Sequence, residues 1–178
     1  PRATPAPPQT WRQVLGALRE PLVIRLGIAV ALPNAVSYGT SLAAPAHLAN
    51  TYNVSLAMSA TAVAIAKIIA LIIGSVAMGY LLARSKRTTA LFATMVAVGL
   101  TAQALIFLPI AGIATATAAL ILWIFAFGGM AGGAMALLPS VVQDPARSGA
   151  ATGLVNQLIS AASFAAPPTW LALHDGKQ

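Results

Sequence analysis

Apart from one lysine inside an apolar run, the basic residues of this chain occur only at alternate gaps between five long apolar runs or near its two ends, and this limits the fold more than any other feature. Arg2, Arg12, Arg19 and Arg25 precede or open the first run; Arg84, Lys86 and Arg87 separate the second from the third; Arg147 separates the fourth from the fifth. The other connections, around residues 51–55 and 109–112, carry no charge, and beyond the fifth run the only basic residue is Lys177. A charge at the centre of a bilayer costs at least ~2.5 kcal/mol, and cytoplasmic loops retain Lys and Arg, so the alternation predicts a polytopic membrane protein with its basic connections inside. The expected fold class is all-α, a transmembrane helix bundle of about five spans.

Composition supports the same class. Hydrophobic residues make up 58% of the chain and charged residues 7%, against about 25% charged in soluble domains, so a water-soluble helical bundle lacks the polar surface to cover itself. The net charge of +7 would suggest an acidic partner, yet eight of the ten basic residues sort to one side of the membrane. The excess is topological: the lipid bilayer, with its anionic headgroups, is the expected partner and nucleic acid is not. The chain has no cysteine, so disulfides and thiolate metal sites are excluded.

Residues 1–21 read as a Pro-rich cytoplasmic linker followed by a short amphipathic interfacial helix carrying Trp11, Val14, Leu15 and Leu18. A signal peptide would place its apolar stretch directly after a basic start, which this segment does not. Because the chain opens on Pro1, it is expected to be a piece of a longer polypeptide or a processed one. Residues 22–173 are the expected five-helix bundle, with spans near 22–48, 56–83, 88–108, 113–139 and 149–171, each reaching the ~20 residues that cross ~30 Å of hydrocarbon. Lone strands would leave backbone groups unpaired in lipid, so the spans are helices. Residues 174–178 form a short external tail. The fourth span contains Gly128, Gly129, Gly132 and Gly133, two overlapping glycine pairs at four-residue spacing that suit either close helix packing or a hinge.

The loop Gly79, Tyr80, Leu81, Leu82, Ala83, Arg84, Ser85, Lys86, Arg87, Thr88 resembles the cytoplasmic loop motif of the major facilitator superfamily. Gly79, Leu81, Arg84 and Arg87 match it, whereas Ala83 replaces the expected Asp and Lys86 the second Gly. Those departures are similar to the degenerate copy between that family's eighth and ninth helices. The stretch from Leu138 to Gly149 likewise looks like its loop between the tenth and eleventh helices. The resemblance implies a C-terminal half-transporter, helices seven to eleven, lacking a twelfth helix and the N-terminal half. It also implies that a missing N-terminal half or a partner membrane chain is needed to enclose a solute.

Lys67 is the main candidate for chemistry. It lies ~17 Å beyond Leu56 at ~1.5 Å per residue, near mid-depth, where ionisable residues mark solute or ion paths; pairing with carbonyls or with an acid of another chain is the structural alternative. If charged, it suits an anionic solute. The resemblance adds that the corresponding helix lines the family's cavity. In the first span Pro33 is expected to break the helix ladder at mid-depth, and Asn34, Ser37, Tyr38 and Ser41 follow on one face, either as a solute-binding surface or as interhelical bonds beside a harmless kink. In the fifth span Asn156, Ser160 and Ser163 form a stripe expected to face Lys67 or the first span's polar face. His47, near the far end of its span, reads as a water-exposed imidazole with a weaker proton-coupling alternative. Asp144 and Arg147 suggest a cytoplasmic latch, and Trp123, Phe125 and Phe127 suggest packing.

No metal site, catalytic triad or phosphate loop can be assembled from Glu20, Asp144, Asp175 and the two histidines, and no cofactor is implied. The resemblance implies secondary transport by alternating access, and Lys67 makes a small, anionic organic solute the expected cargo; the alternative is a transporter-derived scaffold or assembly subunit that transports nothing. The expected location is a bacterial inner (cytoplasmic) membrane, N-terminus cytoplasmic and C-terminus external. Single-cysteine labelling tests this topology: an impermeant thiol reagent added to intact cells should modify Asn53→Cys and leave Ser85→Cys untouched, and the reverse pattern overturns it.

Overall fold

A computed structural model of the protein describes residue 16 and residues 19–108, 112–142 and 147–175, with side chains through residue 169. Five helices follow one another: α1 Pro21–Tyr52, α2 Leu56–Arg84, α3 Thr88–Phe107, α4 Ile113–Val141 and α5 Ser148–Asp175. The described residues contain no strand. The helices α1 to α4 are long and apolar enough to cross a membrane. Helix α5, with 28 residues, has the length to do so, but Asn156, Gln157, Ser160 and Ser163 lower its hydropathy and it is not among those four. Of the expected interfacial helix only Gly16 falls within the described residues; the Pro-rich linker, Asp144 and the tail beyond residue 175 lie outside them.

The helix boundaries have local causes. Pro21 occupies the first turn of α1, where a missing N–H costs nothing, and Asn53 closes its far end in the left-handed region at φ 53°. Ser55 caps α2 by accepting from the Met58 N–H at 3.2 Å. Hydroxyls inside the helices are satisfied by the preceding turn: Thr61 donates to Ala57 O, Thr94 to Ala90 O and Thr152 to Ser148 O, each at 2.8–2.9 Å. A Ser or Thr bonded this way brings no unpaired donor into lipid. Helix α1 corrects one expectation: it runs unbroken through Pro33 and also through Pro45. Each proline removes one ladder bond, and the helix continues because its remaining turns and its neighbours hold it.

Helix α4 is the centre of the bundle and packs against α2, α3 and α1, while α5 packs mainly on α1. Small residues let α2 and α4 touch backbone to backbone. A Cβ placed on Gly74 would collide with the Phe125 carbonyl, and one on Gly128 with the Leu71 backbone. At Gly132 an added Cβ would sit 2.9 Å from Ser75 Cα. Ser75 Oγ spans the crossing and donates to the Gly128 carbonyl at 2.9 Å. Of the other two glycines, Gly129 meets the Gly74 carbonyl together with the Met95 and Met78 side chains, and Gly133 faces the Met78, Phe92 and Leu82 side chains.

A second seam joins α1 to α5. Gly27 lies against Val155 and Leu158, and Asn34 reaches Ser163 further along, so the two helices run parallel. Val23, Leu138, Val142, Ala151 and Val155 close the basic end with an apolar cluster. Arg147 reaches Glu20 Oε1 there at 3.5 Å, a pair in which the arginine is 42% exposed. Such a pair contributes at most ~1 kcal/mol, so the apolar cluster does most of the holding. Large apolar residues cover the outside of α2, including Ile65, Ile68, Ile69, Ile72 and Val76, each more than half exposed. That face suits hydrocarbon and would aggregate in water.

Gly74→Ala should therefore force α2 and α4 apart and lower the yield and melting temperature of the purified protein. Gly153→Ala has nothing within 4 Å of its new methyl group and should be neutral or stabilising by ~0.5–1 kcal/mol from helix propensity. Equal thermal stability of the two variants in detergent would refute the close crossing.

Candidate functional site

The stripe of α2 that meets α4 through Leu71 and Gly74 also carries Lys67, one turn earlier, where α1 becomes the neighbour. The Lys67 side chain is half-buried. Its ammonium donates to Ser41 Oγ at 3.4 Å and stands 4.8 Å from the centroid of the Tyr38 ring. Ser41 in turn donates to the Ser37 carbonyl at 2.8 Å, so its one proton is committed and its lone pairs face the amine. Among the described residues no carboxylate pairs with Lys67; the ion pair there is Glu20 with Arg147 at the basic end. The amine thus has one long neutral hydrogen bond and a ring face. That arrangement leaves ammonium donors free for an anion.

The polar stripe of α1 divides between two neighbours. Tyr38 and Ser41 face Lys67, while buried Asn34 turns to α5 and donates through Nδ2 to Ser163 Oγ. Ser37 is buried, 2% exposed, and contributes its carbonyl to Ser41. On α5 the stripe divides as well: Ser163 meets Asn34, whereas Asn156 and Ser160 lie on the exposed surface of the helix and bond to nothing described. Asn156 and Ser160 are therefore not brought to Lys67 within this chain.

Three features of the site region carried weak or no sequence signal. Thr40, fully buried, accepts from Gln103 Nε2 of α3 at 2.8 Å; neither residue sits in a polar stripe that would have drawn notice. Pro45, inside α1, stands in an apolar stretch beyond the polar stripe and carries no motif. His47 differs from expectation: its Nε2 is shut off from solvent with no hydrogen-bond partner, and its ring packs on Phe107 at 5.1 Å. Trp123 and Phe127 stack at 6.3 Å inside the bundle, as packing residues.

Two apolar concavities flank these residues. One, of about 200 Å³, lies between α1, α3 and α4 beside Pro33, Gly99, Gln103 and Trp123. The other, of about 820 Å³, is an open groove between α2 and α4 beside Ile65, Ile69, Thr117 and Phe125. Neither includes Lys67. No group of His, Cys, Asp and Glu among the described residues is arranged to hold a metal ion.

A family model described as Major Facilitator Superfamily matches residues 1–167. No curated protein and no solved structure matches the chain.

The Asn34–Ser163 contact has a measurable share in joining α1 to α5. In a double-mutant cycle with Asn34→Ala and Ser163→Ala, the coupling read from unfolding in detergent should be ~0.5–1.5 kcal/mol. A coupling of zero would remove this bond from the account of the seam.

Proposed function

The chain belongs to the Major Facilitator Superfamily, and from that membership we propose that it forms part of a secondary transporter that carries a small organic anion by alternating access. It is a membrane-transport chain with helices that contact the lipid bilayer. The observation that carries the anionic solute is Lys67: a mid-depth ammonium whose described partners are one hydroxyl at 3.4 Å and the Tyr38 ring at 4.8 Å. Retaining a charge at that depth is costly unless a cavity or counter-ion receives it, and a carboxylate-bearing solute supplies the counter-ion. Tyr38, 43% exposed, offers a ring wall, and Ser41 orients the amine.

Half of such a site belongs to this bundle and half to a facing one. That reading explains why Lys67 lies outside both concavities and why Asn156 and Ser160 sit on open surface: transporters enclose their solute near the midplane between two halves. The basic loops would then face the cytoplasm, in a bacterial inner membrane, with the C-terminal end of α5 outside.

Uptake by the full-length polypeptide in proteoliposomes, screened against a panel of mono- and dicarboxylates, tests the assignment. Lys67→Met keeps the stem length and removes the charge, so uptake should fall at least tenfold, which corresponds to ~1.4 kcal/mol or more of lost binding. Lys67→Arg should retain part of the activity, and Tyr38→Leu should weaken uptake less than Lys67→Met. Undiminished uptake by Lys67→Met removes the anion site. Absence of uptake for every anion, in a protein still needed to assemble a larger membrane complex, would favour a scaffold role.

A further inference from the structure

Beyond the crossing at Gly74 and Gly128, towards the uncharged end, α2 and α4 flank the open groove of about 820 Å³. The contacts of Leu71 with Gly128 and of Ser75 with Gly132 advance together, so the two helices run parallel and bound the groove along its length. Phe125 marks the end nearer the crossing: its carbonyl lies against Gly74 and its side chain lines the groove. Two files of α2 residues at four-residue spacing form the near wall. Ala62, Ala66 and Ala70 make a low file, of which Ala70 is buried, and Ile65, Ile69 and Ile73 make a tall one, each more than half exposed. The result is a slot of methyl groups beside a raised apolar rim.

The slot lies wholly at hydrocarbon depth. At ~1.5 Å per residue, Ala62 and Ile73 stand ~9 and ~26 Å along α2 from Leu56, inside a core of ~30 Å. The lining holds no charged residue and one hydroxyl, that of Thr117, so a ligand with several donors or acceptors would leave them unpaired there. An apolar chain meets no such cost and gains contacts on both walls. Azimuth decides between a lipid chain and another helix. Lys67 and Ile69 are two residues apart, ~200° around the axis at ~3.6 residues per turn, so the tall rim points away from the ammonium. A facing bundle that completes the solute site covers the Lys67 side, and in that step the inference rests on the transport reading above. The slot is then left to the bilayer.

We propose that this groove is a binding site for one phospholipid acyl chain, which lies on the alanine file and fills the space between α2 and α4 beyond their crossing. The chain is a removable part of the packing of these two helices. Recognition is by hydrocarbon alone. The slot begins ~9 Å inside the end of α2, and the connections at that end carry no charge, so headgroup charge plays no part, in contrast to the basic loops at the other end.

Photolabelling of the full-length protein tests the site, in vesicles where either phosphatidylcholine or phosphatidylglycerol carries a diazirine at mid-chain and adducts are mapped by mass spectrometry. Adducts should form at half-buried Phe125 as well as at Val76, an exposed position outside the groove, and equally from both lipids. Ala66→Phe fills the slot and should lower the adducts at Phe125 by on the order of tenfold while leaving those at Val76 unchanged. Ala62→Phe, at an exposed position, is the second variant should the first not fold. In detergent, added phosphatidylcholine should raise the melting temperature of the unmodified chain by about 2–4 °C and that of the filled variant by less. Adducts at Val76 with none at Phe125 would show that protein covers the groove and overturn the site. Adducts from phosphatidylglycerol alone, adducts at Phe125 that persist in both filled variants, or an equal rise in melting temperature overturn it as well. Loss of uptake by Lys67→Met with the Phe125 adducts intact leaves the lipid site standing, so the two readings fail separately.

Discussion

The backbone contact between α2 and α4 is the constraint on which the remaining geometry depends. In lipid no hydrophobic force drives helices together, so association relies on close packing and on bonds between helices. Gly74, Gly128 and Gly132 provide the first and Ser75 the second. Once that crossing is fixed, the rotation of α2 is fixed with it. The stripe of Leu71 and Gly74 must face α4, and Lys67 on the same stripe then meets α1 rather than lipid. The opposite face of α2, rich in isoleucine, is left for hydrocarbon or for a facing bundle.

Polar groups in the bundle divide into those that settle their bonding locally and those that reach across. Thr61, Thr94 and Thr152 bond to their own helix and carry no information about neighbours. Asn34 with Ser163, Thr40 with Gln103 and Ser75 with Gly128 each tie one helix pair. These bonds are few and together contribute a few kcal/mol at most. Their value is in rotation: each is possible at one azimuth of the two helices it joins. Lys67 is the exception, a charged group whose strongest described partners are a hydroxyl and a ring.

The sequence made the helices legible because lipid allows so few alternatives. Apolar runs of sufficient length, separated by loops that alternate in charge, located all five helices to within a few residues. Azimuth was less legible. Asn34, Ser37, Tyr38 and Ser41 share a face by helical spacing, yet that face is wide enough to meet α5 on one side and α2 on the other. Periodicity along one helix cannot say where two neighbours divide it. The glycines of α4 signalled a close crossing, but Gly74, the glycine that answers them, is isolated on α2 and carries no motif. Proline was over-read: in water a mid-helix proline often ends a helix, whereas in a bundle the surrounding helices hold it, and α1 passes through two.

The modest hydropathy of α5 has a consequence for how the protein is made. The helices α1 to α4 are apolar enough to partition into the bilayer as single segments, each as it leaves the ribosome. Helix α5, with Asn156 and Gln157 adjacent in its first half, gains less from lipid alone. Its surest route into the membrane is alongside α1, already resident, whose Gly27 and Asn34 offer a fitted groove and a hydrogen bond. Biogenesis of these five helices is then ordered by chemistry: α1 waits, in effect as an intramembrane chaperone, for α5.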